Sequence, residues 1–413
     1  MEENRKKTLD EFLEQLTTNL DITDTEEEWI RQSYKAVGEW LSASNSILNK
    51  FEVEIRPQGS FNLGTIIRPT NDDDDIDIDL VCELKGKEKS WTQENVKDIV
   101  GNRIKESETY KKMLDEEGRR CWTLLYRKES ERGSYHMDIL PCVINKGYSE
   151  VIREMYRNPI FENYKWDKVA IRITDKERED FKTSTDVSEW LKSNPFGYAR
   201  WFAERARQSS KIKIFANEGV KPLPTKSRSK LPLQKVVQIL KRHRDIYFGG
   251  KEDKPISIII TTLAARAYNG EEDLATALVN VVKNFDKAIR EEYSQEYGRN
   301  IKVISNPVNP EENFADKWPE NPNKERMFYE WVKQLSVDIL SLGNQSMIQL
   351  GKSFIKLFGK AGEKVIQDNA YRLRNVRESG NLKMASSTGI LSTTGNIAVA
   401  AAHSFYGNID GEE

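Results

Sequence analysis

The sequence predicts an α+β fold with two lobes, a small mixed sheet and a mostly helical part. Strand-like alternation of apolar and polar residues is confined to residues 51–145. Helical periodicity dominates before and after that stretch. The length of 413 residues is enough for two or three lobes, each with its own core.

Residues 1–50 predict an N-terminal helical brace. Leu9, Phe12, Leu13 and Leu16 recur at the spacing of one helix face. A second helix is expected to start near Asp24, where a run of acidic residues favours a helix N-terminus. We expect these helices to pack against both lobes.

Residues 51–150 predict the core that carries the sheet. The segments FEVEIRPQGS, IDIDLVCEL and YHMDILPCV each alternate apolar with polar residues, which is typical of strands with one buried face. A charged helical stretch at residues 92–117 separates the last two segments. The core is therefore expected to contain at least three strands.

Residues 151–375 predict a helical lobe, and residues 376–413 predict a mobile tail. Apolar residues fall on one face in LQKVVQILKRHRDIYF and again in FYEWVKQLSVDIL. The apolar stretch from Ile256 to Ala265 is too short to span a membrane and predicts a buried helix. The tail is rich in Gly, Ser, Thr, Asn and Ala and has no helical period.

Composition limits the class of protein. Hydrophobic residues make up 38% of the chain and charged residues 31%, as in a folded, soluble protein. The net charge of −2 gives no general reason to expect a nucleic acid or a membrane as partner. Three cysteines without a CxxC pair, and three histidines, exclude a disulfide framework and disfavour structural zinc. We therefore expect a cytoplasmic protein.

Three aspartates are the candidate catalytic and metal-binding residues. Asp77 and Asp79 are two apart on a predicted strand, so their side chains project from the same face. Asp138 has the same setting in HMDIL. If the two strands are neighbours, the three carboxylates converge. One pair of like charges at about 4 Å costs roughly 4 kcal/mol at an effective dielectric of 20, so cations are expected among them.

Magnesium suits such a cluster, because it takes oxygen ligands and leaves room for water and substrate phosphates. Two ions would activate an attacking hydroxyl and stabilise the leaving pyrophosphate. The alternative is that NDDDDIDIDL is a solvated acidic loop. Its alternation with isoleucine and leucine argues against that for Asp77 and Asp79. A calcium loop is a poor fit, since its sixth position would be Asp77 and not glycine.

A Gly-Ser turn precedes the acidic strand. Gln58, Gly59 and Ser60 follow a predicted strand and open a helical turn. Such a turn exposes backbone N–H groups and a hydroxyl to a triphosphate, and glycine allows close approach of the backbone. The pair alone is a common turn. Its significance comes from the combination with Asp77, Asp79 and the later Asp138.

That combination resembles the polymerase-β-type nucleotidyltransferase superfamily. The superfamily pattern is a Gly-Ser turn, a spacer, an Asp-x-Asp strand and a third acidic residue on a later strand. The longer string PQGSFNLGTIIRPTNDDDDIDIDLVCEL is similar to the CD-NTase (cGAS/DncV-like) family of bacterial CBASS anti-phage systems. The resemblance implies a bilobal polymerase-β-like core with a helical lobe like that of oligoadenylate synthetases. It also implies two Mg²⁺ ions, for which Mn²⁺ can substitute.

The resemblance continues into the helical lobe. LKRHRDIYF followed by KPISIIITTLAARAY is similar to the part of these enzymes in which a helix lysine and a serine contact the triphosphate. The matching residues are Lys241 and Ser257, with Lys235, Arg242 and Arg244 as basic neighbours of the lysine. The zinc-binding insertion of the animal DNA sensors is absent, so direct activation by nucleic acid is not expected.

The implied function is synthesis of a cyclic oligonucleotide second messenger from nucleoside triphosphates, with release of pyrophosphate. ATP, GTP and UTP are the candidate substrates, and the messenger would activate a separate effector protein. A linear product, as in oligoadenylate synthesis or RNA tailing, is the first alternative. A catalytically silent nucleotide-binding protein is the second.

The tail suggests an accessory partner. Some family members end in a glycine that an E1/E2-like protein joins to its targets. Here HSFYG is followed by NIDGEE, so Gly407 is not terminal. Either the tail is processed or no conjugation occurs.

Overall fold

A six-stranded mixed sheet organises the computed structural model of this chain. Its strand order is β1-β2-β4-β5-β6, and β3 also pairs with β4. Strands β2 and β4 run parallel, whereas the other pairs in the sheet are antiparallel. The strands are β1 (Glu54–Pro57), β2 (Ile76–Leu84), β3 (Trp122–Tyr126), β4 (Tyr135–Val143), β5 (Ile171–Ile173) and β6 (Leu191–Ser193).

The chain forms two compact units. One unit combines Met1–Asn19 with Ser341–Glu413, and the other spans Leu20–Leu340 and contains the sheet. The structure describes residues 3–71, 74–126, 134–144, 147–157, 163–208, 230–384, 386, 391–393 and 395–399. Residues 400–413, which include HSFYG, lie outside the described residues. The prediction of a mobile tail and the fate of Gly407 therefore stay open.

Thirteen helices are described. They are α1 (Glu3–Leu20), α2 (Asp24–Ser42), α3 (Gly59–Leu63), α4 (Gln93–Lys105), α5 (Glu108–Met113), α6 (Tyr148–Arg157), α7 (Pro195–Ala206), α8 (Pro232–Phe248), α9 (Ser257–Ala267), α10 (Leu274–Lys283), α11 (Pro322–Leu342), α12 (Met347–Phe358) and α13 (Lys360–Glu378). No described helix is both long enough and apolar enough to cross a membrane.

The sheet is amphipathic because β2 and β4 alternate. Ile76, Ile78 and Leu80 are buried on one face of β2, in the same core as Val96 and Val100 of α4. This leaves the opposite face of the strand for the aspartates. The core therefore fixes which way the acidic residues point.

Trp122 of β3 locks α4 against this core. Its indole nitrogen donates to the carbonyl of Lys97 at 2.9 Å. A Cβ on Gly101 would collide with the indole ring, so only glycine lets the helix approach this closely. The contact supports the sheet beneath the strands that carry the acidic residues.

Helix α2 starts at Asp24, as its acidic run predicts. Thr23 is the N-cap, and its hydroxyl accepts from the amide of Glu26 at 3.2 Å while the Glu26 carboxylate accepts from the Thr23 amide at 2.6 Å. This reciprocal capping satisfies two amides that a helix start otherwise leaves unpaired.

Helix α8 is buried on nearly all of its faces, whereas its sequence predicts a single buried apolar face. Leu233, Val236 and Leu240 are fully buried as predicted, but so are the polar side chains of Gln234 and Gln238. Pro232 opens the helix, and Gly249, with φ of +54°, ends it. The helix thus runs through the interior of this unit, and its basic residues are buried there.

The later part of the unit is less purely helical than its sequence predicts. Strands β5 and β6 join the sheet, and two hairpins follow α10. The hairpins are β7 (Arg290–Ser294) with β8 (Arg299–Val303) and β9 (Ser305–Asn306) with β10 (Asn309–Asn313). The predicted α+β class is nevertheless confirmed. The boundaries predicted near residues 50, 150 and 375 stay predictions.

The other unit is built from both ends of the chain. The ring of Phe12 in α1 packs edge-on against Phe354 of α12 at 5.5 Å between centroids. A Cβ on Gly362 would collide with the carbonyl of Phe354, so glycine allows α13 to pack closely on α12. Three short strands, β11 (Lys383–Met384), β12 (Leu391–Ser392) and β13 (Ile397–Ala398), form a separate small sheet.

Candidate active site

The three predicted aspartates lie on one face of two neighbouring strands. In the parallel pairing of β2 with β4, Asp79 is opposite Asp138 and Asp77 is opposite His136. Neighbouring strands are about 4.8 Å apart, so the register brings the carboxylates together. Residue 138 follows residue 79 by 59 positions in the chain, and only the sheet joins them.

The electrostatics of Asp79 show how crowded this face is. Burial, together with the negative charges of Asp138 and Asp77, raises the pKa of the Asp79 carboxyl to about 6, although Lys241 opposes the shift. The pKa of Asp77 is also raised, first by reduced hydration and then by Asp138, against the positive charges of His136 and Lys241. Both carboxylates would therefore be stabilised by added positive charge.

Asp77 combines exposure with reduced hydration. Its side chain is 83% exposed, yet loss of hydration is the main reason that its pKa is raised. Water nevertheless reaches the carboxylate directly and screens its charge. Asp77 is thus the accessible member of the trio, open to a ligand from solvent.

Two neighbours hold the carboxylates in place. The hydroxyl of Thr123 on β3 donates to Oδ1 of Asp138 at 2.6 Å. His136 contacts Asp75 through Nε2, and its Nδ1 lies 3.8 Å from Oδ1 of Asp77. His136 is half-exposed beside the acidic residues, so it is not simply a core histidine.

The Gly-Ser turn closes against the same carboxylates. The amide of Gln58 donates to the carbonyl of Asp79 at 2.8 Å, which anchors the turn to β2. Gly59 has a φ of +57°, and a Cβ there would collide with the Asp79 carboxylate. Both reasons require glycine at this position. Ser60 follows in the first turn of α3, beside the acidic strand.

Lys241 is buried near the carboxylates. Its side chain projects from α8 and is buried in the protein, and its Nζ donates to the carbonyl of Thr65 at 2.9 Å. Burial and the nearby charge of Arg244 lower the pKa of its ammonium group to about 8, although Asp245, Asp79 and Asp77 oppose the shift. A buried cation that interacts with both Asp77 and Asp79 is well suited to hold an anion beside them.

Ser257 is the first residue of α9, as predicted, and it is linked to α8. Nη1 of Arg244 donates to the Ser257 hydroxyl at 3.1 Å and to the carbonyl of Pro255 at 2.9 Å. Arg242 instead donates to the carbonyls of Arg68 and Pro69. Of the basic neighbours left open by the sequence, Arg244 is thus placed with Ser257.

The donor set fits divalent cations that share their ligands with substrate. Asp77, Asp79 and Asp138 offer hard carboxylate oxygens, and the pKa values of Asp77 and Asp79 are raised first by burial and then by neighbouring carboxylates, so added positive charge would stabilise their ionised forms. Across the described ranges, no group of three or more His, Cys, Asp or Glu side chains is arranged so that it could hold a metal ion. Magnesium does not need a full set of protein ligands, because water and phosphate oxygens complete its octahedron.

Sequence reasoning missed two residues that contact this site. Thr123 contacts Asp138, and the carbonyl of Thr65 accepts from Lys241. Neither was singled out as a candidate site residue. The register of Thr123 opposite Asp138 follows only from the pairing of β3 with β4, so nothing in the local sequence could have indicated it.

Comparison with known proteins agrees with the geometry. Residues 7–170 match the family described as the Second Messenger Oligonucleotide or Dinucleotide Synthetase domain. A c-di-GMP synthase of Roseivirga ehrenbergii is 27% identical over 395 residues, which cover 94% of this chain and 93% of that protein. The cyclic dinucleotide synthase CdnG of Bradyrhizobium diazoefficiens is 22% identical over 95% of this chain and 93% of its own.

Solved structures share the fold. CdnG of Bradyrhizobium diazoefficiens in complex with GTP aligns with a TM-score of 0.61 at 20% identity, covering 88% of this chain and 99% of that one. The cyclic AMP-GMP synthase DncV of Vibrio cholerae, described as a prokaryotic cGAS homologue, aligns with a TM-score of 0.54 at 14% identity over 84% and 94%. The domain match over residues 7–170, the full-length relatives and the shared fold together support the resemblance to the CD-NTase (cGAS/DncV-like) nucleotidyltransferase family.

Proposed function

We propose that the chain joins nucleoside triphosphates into a cyclic dinucleotide second messenger, with GTP as a substrate. The observation that carries the proposal is the register of β2 and β4, which sets Asp79 opposite Asp138 with Asp77 on the same face. The relatives that align over nearly their whole length are named c-di-GMP synthase and cyclic dinucleotide synthase, which supports the product class. The reaction would serve anti-phage signalling in the cytoplasm.

Asp77, Asp79 and Asp138 would hold two Mg²⁺ ions, or Mn²⁺ in their place. Bound ions supply the positive charge that lowers the pKa of the attacking ribose hydroxyl and stabilises the leaving pyrophosphate. Asp138 accepts the proton of that hydroxyl. The Thr123 hydroxyl donates to Oδ1 of Asp138, so Oδ2 is the oxygen left for this task.

Basic and hydroxyl groups would bind the triphosphate. Gln58 and Gly59 place the Ser60 hydroxyl and the first amides of α3 beside the acidic residues, at the end of β1. Lys241 and Ser257 come from α8 and α9, and Arg244 orients Ser257. A phosphate near Lys241 would favour its charged form, because an opposite charge raises the pKa of an ammonium group.

The first test is a product assay. The purified chain is incubated with Mg²⁺, or with Mn²⁺, and four labelled nucleoside triphosphates, treated with phosphatase and analysed by mass spectrometry. We expect a phosphatase-resistant cyclic dinucleotide that contains guanine and that EDTA abolishes. Linear products would overturn cyclisation, and a cyclic product without guanine would overturn only the substrate assignment.

A matched pair of variants tests the site itself. Asp77→Asn should reduce the product by at least about a hundredfold, because it removes a ligand charge used in the transition state. Asp74→Asn makes the same chemical change at an exposed position of the acidic run and should leave the rate within twofold of wild type. Normal product from Asp77→Asn would refute the site.

Accessory proteins belong to the same proposal. A protein of similar fold, CdnC of E. coli, was solved as a complex with HORMA-deltaN, and it aligns with this chain at a TM-score of 0.51 and 14% identity. We propose that this chain also works with accessory proteins, of HORMA or E1/E2-like type, and with a separate effector that its messenger activates. If the tail is conjugated, co-expression with an E1/E2-like protein should give adducts of higher mass. An unchanged mass would rule out conjugation of the tail.

A further inference from the structure

One face of α8 lies along the segment that follows the Gly-Ser turn, and this segment pairs with no strand in the part of the chain that the structure describes. The segment comprises residues 63–69 and connects the Gly-Ser turn to the acidic loop. Nε2 of Gln234 donates to the carbonyl of Leu63 at 2.9 Å, and Nε2 of Gln238 donates to the carbonyl of Ile66 at 2.7 Å. Buried carbonyls outside a sheet need such donors, and α8 supplies them.

The same face continues with two basic residues. Nζ of Lys241 donates to the carbonyl of Thr65 at 2.9 Å, and Nη2 of Arg242 donates to those of Arg68 and Pro69 at 2.6 and 3.1 Å. Residues 234, 238, 241 and 242 recur at the spacing of one helix face. We call this row of side-chain-to-carbonyl bonds the α8 seam.

The α8 seam joins two parts of the candidate active site. Its segment begins at the end of α3, and the amide of Thr65 donates to the carbonyl of Ser60 at 2.9 Å. Its helix carries Lys241. The distance between the Ser60 turn and the Lys241 ammonium is therefore fixed by how residues 63–69 lie on α8, so a shift of this segment would misplace the two groups relative to each other for binding one triphosphate.

Gln238 occupies the middle of the seam. It is fully buried, and its amide nitrogen donates both to the carbonyl of Ile66 and to the carboxylate of Asp21. Asp21 also pairs with Lys230. Because both partners of Gln238 are acceptors, the orientation of its amide group is fixed.

We propose that Gln238 is a positioning residue for nucleotide binding. It holds residues 63–69 on α8, so that the Thr65 carbonyl fixes the Lys241 ammonium at the right distance from Ser60. Two N–H groups of Lys241 then remain for the triphosphate. The inference rests on the proposed function, since it assumes that Ser60 and Lys241 bind the triphosphate.

The test compares two buried glutamines. Gln238→Leu removes the donors in the seam and keeps the side-chain volume close to that of glutamine. Gln93→Leu is the control, because Gln93 is also fully buried and also makes two hydrogen bonds, to Asp180 and to the amide of Asp175. Thermal unfolding shows whether the two variants lose similar stability. Gln234→Leu, at the end of the seam, serves if Gln238→Leu does not fold.

Two readouts separate positioning from stability. With Mg²⁺ and GTP as the probe, Gln238→Leu should raise KM about tenfold and change kcat by less than threefold, while Gln93→Leu leaves KM unchanged. Without nucleotide, amide hydrogen exchange in residues 59–70 should become faster in Gln238→Leu only. An unchanged KM, or an equal rise in both variants, would overturn the positioning role.

Lys241→Ala distinguishes the two proposals. If it leaves KM for GTP unchanged, the triphosphate assignment is wrong. If it raises KM while Gln238→Leu does not, only the positioning role is wrong. If the wild-type chain turns over no GTP, the substrate assignment fails, and hydrogen exchange in residues 59–70 still decides whether Gln238 holds the seam.

Discussion

At the scale of single residues, Asp79 has a site that suits catalysis at the expense of stability. The pKa of its carboxyl is raised from 3.8 to about 6 by burial and by the charges of Asp138 and Asp77. The folded chain therefore keeps a proton on Asp79 that the unfolded chain releases, and stability falls as the pH rises from about 4 to about 6. At neutral pH this difference in pKa between the folded and unfolded states lowers the free energy of unfolding by at most about 3 kcal/mol.

Asp79→Asn should consequently stabilise the metal-free protein while abolishing product. Its thermal midpoint in EDTA should exceed that of wild type by several degrees at pH 7.5, and the gap should narrow towards pH 4 and close at about pH 3, below the pKa of the unfolded state. Asp74→Asn, at an exposed position, should show no such gain. Equal midpoints for Asp79→Asn and wild type at pH 7.5 would contradict this account of the site.

At the scale of elements, a hydrogen-bonded chain joins α8 to α11. The indole nitrogen of Trp331 donates to Nδ1 of His243 at 3.1 Å, and Nε2 of His243 lies 3.2 Å from Oδ2 of Asp338. Because an indole can only donate, Nδ1 must accept, which leaves the ring proton on Nε2 for the aspartate. The three residues are therefore satisfied as a set.

Trp331→Phe should break this set. It leaves Nδ1 of His243 buried without its donor, which costs about 1–3 kcal/mol in addition to the lost ring volume. Trp318→Phe is the control, because Trp318 packs on the same Phe328 ring and its indole nitrogen has no hydrogen bond to any described residue. In urea, the free energy of unfolding should fall more for Trp331→Phe than for Trp318→Phe. Equal decreases would show that the hydrogen bond to His243 does not contribute.

The elements differ in how far the sequence could predict them. In β2, Ile76 and Ile78 alternate with Asp77 and Asp79, and a period of two is a local property that can be read without a structure. The strands β5 and β6 have three residues each, too few to show a period, so they were not predicted.

The α8 seam shows more clearly what cannot be predicted from the local sequence. The apolar positions of α8 predicted one buried face, and that face is buried. Gln234 and Gln238 interrupt the apolar pattern, and their burial is possible only because carbonyls about 170 residues earlier in the chain accept from them. Such partners leave no trace in the local sequence. The Asp79–Asp138 pairing is equally distant, and a motif shared with a family was needed to anticipate it.

At the scale of the whole molecule, the candidate site belongs to one of the two units. All eight predicted site residues lie within Leu20–Leu340, namely Gln58, Gly59, Ser60, Asp77, Asp79, Asp138, Lys241 and Ser257. The other unit needs both chain ends, because Phe12 of α1 packs on Phe354 of α12. Shortening the chain from its C-terminus should therefore have a threshold.

A chain that ends at Val399 should keep full activity. It retains α12, α13 and the pairing of β11 with β13, including the bond from the Val399 amide to the Leu382 carbonyl at 2.9 Å. A chain that ends at Gly359 loses α13 and exposes buried side chains of α12 such as Phe358, so its thermal midpoint should fall by several degrees or more. Product formation and thermal unfolding of both chains test the threshold. Loss of product on removing residues 400–413 alone would show that the tail acts in catalysis, and a chain ending at Gly359 that is as stable as wild type would show that α13 adds nothing to its unit.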